Sequence, residues 1–212
     1  TPPERDVKRS SNGDVLISSV PKISQGSRGY CVPATWEKVL RHYGLGFNVY
    51  DLASEGDTTV NGSTFTRFTG RMSSMLKPHS FKVKYLRFAP DDMDSVASYI
   101  DRGLPLIWHM SARNLSNWVR RSPGRRESLP EEPIYASQSG PLRGHALLII
   151  GYNKRHQELA LSDSTELGSS LDAIWIHQQE ATAAHQRRTE LLAVLPPNRT
   201  SAERDFLKAK WY

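Results

Sequence analysis

Residues 21–44 constrain the fold of this chain most strongly, because they place the only cysteine, Cys31, where a glycine-rich loop meets an amphipathic helix. Past that cysteine, apolar and aromatic side chains recur with the i, i+3, i+4, i+7 spacing of one buried helical face, at Trp36, Val39, Leu40 and Tyr43. Gly44 stands where a C-terminal cap is expected. Cys31 is therefore predicted to begin the helix, where unpaired N–H groups and the positive end of the helix dipole favour a thiolate.

The loop before this helix gives the cysteine an open approach. Gly26, Ser27 and Gly29 permit a tight turn and leave room for another molecule beside the backbone. A single thiol reached through such a loop suits a nucleophile. It also suits a small buried apolar residue, since free cysteine is among the most often buried residue types. The position alone leaves both interpretations open.

Composition narrows the class of protein. Of the 212 residues, 38% are hydrophobic and 24% are charged, and no apolar run approaches the roughly 20 residues that cross a bilayer. One cysteine excludes an intrachain disulfide and a multi-cysteine metal site. The seven histidines show no HExxH or paired-ligand spacing, so neither a metal nor a cofactor is expected. No leader is visible at Thr1, which leaves the compartment unknown and is compatible with an exported or periplasmic form whose leader has been removed.

The net charge of +6 raises the question of an anionic partner. The densest basic group lies in a loop that contains serine and proline, and it consists of Arg120, Arg121, Arg125 and Arg126. No nucleic-acid motif accompanies it. A solvated loop explains such a group better, so no nucleic-acid partner is expected.

Hydrophobic periodicity divides the chain into a helical first half and a strand-rich second half. Helices are predicted at 31–44, 49–56, 63–76 and 90–100, and strands at 15–20, 81–88, 104–110, 144–152, 159–162, 173–177 and 191–195. This segregation predicts an α+β fold rather than an alternating α/β fold. Residues 111–143 lie between two predicted strands and are interpreted as an insertion. We therefore predict a single domain over 1–212, with a loose arm at 1–14 and a polar tail at 198–212.

Candidate partners for a cysteine nucleophile occur in the second half of the chain and in the glycine loop. Such a nucleophile needs a base, a group that orients the base, and donors for the developing oxyanion. His145 opens the most hydrophobic strand, and Asp163 ends the next strand, about one hairpin away. Adjacent antiparallel strands would place the imidazole and the carboxylate side by side. Gln25, six residues before Cys31, would add its side-chain amide to the Cys31 N–H.

Each of these residues also has a structural interpretation when it is taken alone. A histidine at a strand start is more often structural than catalytic, and an aspartate before Ser-Thr more often forms a turn. A glutamine before glycines is usually a polar loop residue. The conjunction of all four is what favours chemistry. His109, inside the predicted strand 104–110, is instead predicted to be a hydrogen-bonded core histidine.

The same residues carry a resemblance to a known family. Gln25, the glycine-rich loop, Cys31 at a helix start, the segment GHALLIIGYN from Gly144 and the downstream Asp163 resemble the papain-like cysteine peptidase superfamily. More narrowly, they resemble its bacterial branch related to the double-glycine leader peptidases of bacteriocin exporters. The resemblance implies a papain-like fold in which Cys31 is the nucleophile, His145 the general base and acid, Asp163 its orienting group and Gln25 an oxyanion donor.

The resemblance covers residues 20–44 and 103–163, apart from the insertion at 111–143. The chain has Asp163 where papains use asparagine, and it lacks their paired structural cysteines. No transporter segments follow, so leader processing coupled to export is not implied. The implied activity is hydrolysis of a peptide or amide bond in a peptide or protein substrate. A papain-like binding module without catalysis, a thiol acyltransferase and a cell-wall amidase stay open as alternatives.

Overall fold

The computed structural model describes residues 6–110, 144–165, 172–185 and 190–197. The strands are β1 (Val7–Arg9), β2 (Val15–Ile17), β3 (Lys82–Tyr85), β4 (Leu106–Met110), β5 (His145–Asn153), β6 (Glu158–Ser162), β7 (Ile174–His177) and β8 (Glu190–Leu195). The helices are α1 (Cys31–His42), α2 (Val49–Glu55), α3 (Phe65–Leu76), α4 (Met93–Ile100) and α5 (Gln178–Ala184), with a 3-10 turn at Lys77–His79. The architecture is α+β, as predicted from the segregation of the two patterns.

The strands form one antiparallel sheet in the order β1-β2-β5-β4-β8-β3, and β6 pairs with β5 and with β7. Strand β5 pairs with β2, β4 and β6, and all its residues are buried. Its register with β4 runs from Met110 opposite His145 to Leu106 opposite Ile149. The start of β5 is therefore held in register by β4.

Helices cover both faces of the sheet. Alternate residues of a strand point to opposite faces, and neighbours along β4 and β5 accordingly enter two different apolar clusters. Ile107 and Leu148 pack with α1, α2 and α3, whereas Trp108 and Leu147 pack with α4 and α5. This double burial explains why both strands are continuous apolar runs in the sequence.

Helix α1 ends at the cap that the sequence predicted. Gly44 has a φ of 80°, which favours glycine. Its N–H donates to the carbonyl of Arg41 at 2.9 Å, and the N–H of Leu45 donates to the carbonyl of Leu40 at 2.8 Å. These two bonds form a Schellman motif, which satisfies carbonyls that the helix end would leave unpaired.

Two elements differ from the prediction. The N-terminal arm is not loose throughout, because Val7–Arg9 pairs with β2 and Arg9 Nη2 lies 2.7 Å from Asp101 Oδ1. Helix α5 was not predicted, because only Ala181 and Ala184 of its polar sequence are buried. The expected insertion at 111–143 and the tail at 198–212 lie outside the described residues. None of the described helices is long and apolar enough to cross a membrane.

Candidate active site

Cys31 is the first residue of α1, as the glycine loop and helical pattern predict. The preceding Tyr30 makes no side-chain cap, and the first turn contains no acidic residue. The helix begins with the bond from the Ala34 N–H to the Tyr30 carbonyl, at 2.9 Å. The thiol therefore lies at a helix N-terminus whose positive potential is not offset by an acidic side chain in its own first turn.

The space around the glycine loop differs from the expectation at one of its two glycines. Gly26 has a φ of 65° and open space around it. Gly29, in contrast, packs against the turn at 59–62: its N–H donates to the Val60 carbonyl at 3.1 Å, and a Cβ there would lie 2.7 Å from the Gly62 nitrogen. The expectation of room for another molecule is therefore wrong at Gly29, where the chain itself makes the close approach.

His145 and Asp163 meet at adjacent strand ends. His145 is the first residue of β5, and Asp163 follows β6, whose Ser162 is paired with Leu148. The imidazole Nε2 donates to Asp163 Oδ1 at 2.5 Å, and the side chains are 6% and 0% exposed. The antiparallel register thus brings an imidazole and a carboxylate into a buried, charge-assisted hydrogen bond.

The thiol of Cys31 interacts with the same imidazole. Burial alone would raise the pKa of Cys31, but the hydrogen bond and charge of His145 and a bond to the Ala146 backbone outweigh it, so the pKa lies below the ordinary value. Burial alone would lower the pKa of His145, but the charge of Asp163 and the contact with Cys31 raise it. Both shifts favour the charge-separated form of the pair, a thiolate beside an imidazolium.

The second carboxylate oxygen of Asp163 also has partners. Oδ2 accepts from the Thr165 hydroxyl and from the Thr165 N–H, the latter at 3.3 Å. His145 and Thr165 together keep the pKa of Asp163 well below its usual range, although burial would raise it. Asp163 can therefore both form a turn and contact the histidine, because Oδ2 accepts the turn bonds from Thr165 and Oδ1 accepts the bond from His145.

Gln25 is joined to the residue after Asp163. The Gln25 N–H donates to the Ser164 carbonyl at 2.7 Å, and the Ser164 hydroxyl donates to Gln25 Oε1 at 2.9 Å. Gln25 Nε2 donates to the Arg28 carbonyl at 3.3 Å. An amide nitrogen carries two hydrogens, and within the described ranges this contact uses one of them.

Lys38 and Thr35 are two site neighbours that the sequence interpretation missed. Lys38 is fully buried on α1 and donates to Ser162 Oγ at 3.0 Å and to the Asp163 carbonyl. Thr35 Oγ1 donates to the Ala146 carbonyl at 2.9 Å. With the cysteine they have the i, i+4, i+7 spacing of one helical face, which was the signal available in the sequence.

His109 differs from the predicted hydrogen-bonded core histidine. Its ring is half-buried and stacked on Phe65 at 4.3 Å between centroids, and its Nδ1 has no hydrogen-bond partner within the described part of the chain. Burial and the charge of His145 lower the pKa of His109 to about 4, so the ring is neutral. A Cβ at position 144 would lie 2.8 Å from His109 Nε2, which explains the glycine before His145.

No metal site accompanies this arrangement in the described ranges, where no group of three or more histidine, cysteine and acidic side chains could hold an ion. The four arginines of the basic group, Arg120, Arg121, Arg125 and Arg126, fall outside those ranges.

Comparison with known proteins gives one family and several similar structures. The Peptidase_C39 like family matches residues 17–187. A C39-like peptidase from Bacillus anthracis is 14% identical, with 88% of this chain and 99% of that chain covered and a TM-score of 0.59. Xylellain, a cysteine protease from Xylella fastidiosa, is 14% identical, with 93% of this chain and 91% of that chain covered and a TM-score of 0.57. A double glycine motif protease from an AMS/PCAT transporter, solved with its leader peptide, is 14% identical, with 85% of this chain and 94% of that chain covered and a TM-score of 0.52. No curated protein matches the sequence. At this identity the structural matches establish the papain-like fold.

Proposed function

Because this chain belongs to the C39-like peptidase family and is a cysteine peptidase-like hydrolase, we propose that it cleaves peptide bonds with Cys31 as nucleophile, His145 as general base and acid, and Asp163 as the orienting group. Gln25 completes the proposal as an oxyanion donor. The observation that carries it is the shared imidazole: His145 is hydrogen-bonded to Asp163 at 2.5 Å and interacts with the thiol of Cys31.

The proposed reaction is acyl transfer to water. The Cys31 thiolate attacks the amide carbonyl carbon, and the Cys31 N–H and the Gln25 amide stabilise the tetrahedral oxyanion. His145 gives its proton to the leaving amine, which departs as the C–N bond breaks and leaves a thioester. Water, deprotonated by His145, then attacks the thioester and releases the acid and the thiol. Asp163 holds the ring in register throughout.

A peptide is the proposed substrate. The AMS/PCAT protease was solved in complex with a leader peptide, which supports a peptide ligand for the same fold. The lowered pKa of Cys31 supports catalysis over a binding module, because a merely structural buried thiol would have a raised pKa. Transfer to an amine rather than water would give an amide product, which mass spectrometry separates from the hydrolysed acid.

Labelling with a thiol-reactive peptide analogue tests this proposal. We expect one equivalent of probe on Cys31, mapped by mass spectrometry, together with cleavage of members of a peptide library that the same probe blocks. Labelling of Cys31 without cleavage of any peptide would favour the binding module. Cleavage that survives complete labelling would contradict the proposed nucleophile.

The oxyanion role of Gln25 predicts a loss of rate without a loss of binding. For Gln25→Ala we expect kcat to fall on the order of 100- to 1000-fold with little change in KM, because the donor acts on charge that develops in the transition state. Steady-state kinetics with one cleaved peptide measures both constants. Ser24→Ala is the matched control, since it removes a bond to the Gly26 N–H in the same loop but keeps the amide. Equal losses in the two variants would assign the effect to loop geometry.

A further inference from the structure

A buried lysine lies behind the candidate triad, on the helix that carries the cysteine. The Lys38 side chain is 0% exposed. Its ammonium donates to the Ser162 hydroxyl at 3.0 Å and to the Asp163 carbonyl, which ties α1 to the end of β6 across 125 positions. Buried lysines are rare because removing an ammonium from water is costly. Two hydrogen bonds and a nearby carboxylate compensate only part of this cost.

The charges around this lysine alternate. In the charge-separated form of the pair, each group interacts electrostatically with a neighbour of opposite sign, in the order Cys31 thiolate, His145 imidazolium, Asp163 carboxylate and Lys38 ammonium. Without the ammonium, the three remaining groups would carry a net negative charge in a medium of low dielectric. With it the array is neutral, which is the arrangement that buried charges require.

We propose that Lys38 is a positioning residue that acts through Asp163: it fixes the end of β6 against α1 and balances the carboxylate, so that the imidazolium and the thiolate form at neutral pH. The inference rests on the proposed function in that it concerns the same nucleophile. Two of the three N–H groups of Lys38 donate to Ser162 Oγ and to a backbone carbonyl rather than to the thiol or the imidazole, which is why we assign it a positioning role.

The protonation state of the lysine agrees with this role. Burial lowers the pKa of Lys38 to about 8, and the charge of Asp163, the charged group that acts on it, opposes the shift. The ammonium is therefore charged at neutral pH and below. In return, Lys38 is one of the groups that lower the pKa of Asp163, and the charge of Asp163 raises the pKa of Cys31.

Alkylation of Cys31 by iodoacetamide, followed from pH 4 to pH 8 by mass spectrometry, tests the proposal without any substrate. For Lys38→Met we expect the midpoint of the rate profile to move up by about one pH unit, a tenfold loss of thiolate at fixed pH, since a hydrogen bond to a charged group has effects of this order. Thiolate loss should lower kcat by a similar factor and leave KM nearly unchanged. Thr35→Val is the control, because it removes a neutral bond between α1 and β5 and should leave the midpoint in place.

Two further variants test whether Lys38 acts through its charge and through Asp163. Lys38→Gln retains a donor without the charge and should shift the midpoint in the same direction. In an Asp163→Asn background, Lys38→Met should add less than its full shift, because the charge that the lysine balances is already gone while its bonds to Ser162 Oγ and to the backbone carbonyl persist. A wild-type midpoint in both lysine variants, or a full additional shift in the Asp163→Asn background, would overturn the inference. Failure of wild-type protein to cleave peptides would count against the proposed function alone, since alkylation needs no cleavage.

Discussion

Replacing Cys31 with alanine will abolish both peptide hydrolysis and labelling by thiol-reactive peptide analogues while the protein stays folded. The chain has no second cysteine to take over the attack, and removal of the nucleophile in serine hydrolases costs on the order of 10⁶-fold in kcat. The side chain is small and partly exposed at a helix start, so little packing is lost. Hydrolysis rates and the melting temperature of purified Cys31→Ala measure the two parts of this expectation.

Cys31→Ser provides the matched control for that experiment. A serine hydroxyl is nearly as large as the thiol and can hydrogen-bond to the same imidazole, but it is far less acidic and stays protonated at neutral pH. Cys31→Ser should therefore be as inactive as the alanine variant, and its melting temperature should be at least as high as that of the alanine variant. Cleavage at the wild-type rate in either variant would remove Cys31 from the mechanism.

Replacing His145 with alanine is expected to have a comparable effect for a different reason. The hydrogen bond and charge of the imidazole keep the pKa of Cys31 low against a burial that would raise it. Without the ring, only the bond to the Ala146 backbone opposes the burial and the Asp163 charge, which both raise the pKa of Cys31. The midpoint of thiol alkylation should then move from below the ordinary thiol value of about 8.5 to above it, and kcat should fall on the order of 10⁵-fold or more.

His109→Gln separates this effect from a general disturbance of the sheet. His109 is on the neighbouring strand β4, and its ring is neutral above pH 4. Its replacement changes no charge at the thiol, so the alkylation midpoint should stay at the wild-type value. A midpoint that rises equally in His109→Gln and His145→Ala would mean that strand packing, rather than the imidazolium, controls the thiol.

Local pattern was enough to predict most of the fold. The helix at Cys31, its cap at Gly44 and the long strand after Gly144 follow from periodicity and turn chemistry within a dozen residues. The family also follows, because the residues that carry the resemblance are short and local. Strand β1 and helix α5 were missed, since the first is only three residues long and the second buries two alanines on an otherwise polar surface.

The contacts of the candidate site also divide into those that the local sequence predicts and those that it does not. The approach of His145 to Asp163 could be anticipated because one hairpin separates them. The bonds from Ser164 to Gln25 and from Lys38 to Asp163 span 139 and 125 positions. The hydrophobic periodicity around each residue predicts its local structure but does not indicate so distant a partner. His109 was misjudged for a related reason: its half-buried environment against Phe65 depends on how α3 lies on the sheet.

Cys31 and His145, its proposed base, lie far apart in the sequence, and this separation has a consequence for biosynthesis. A ribosome releases helix α1 long before β5 and β6, so an unfinished polypeptide presents an ordinary thiol with no imidazolium beside it. Under the proposed mechanism, reactivity arises only when the last third of the protein has emerged and folded. We therefore expect a truncated product that ends before His145 to be inert.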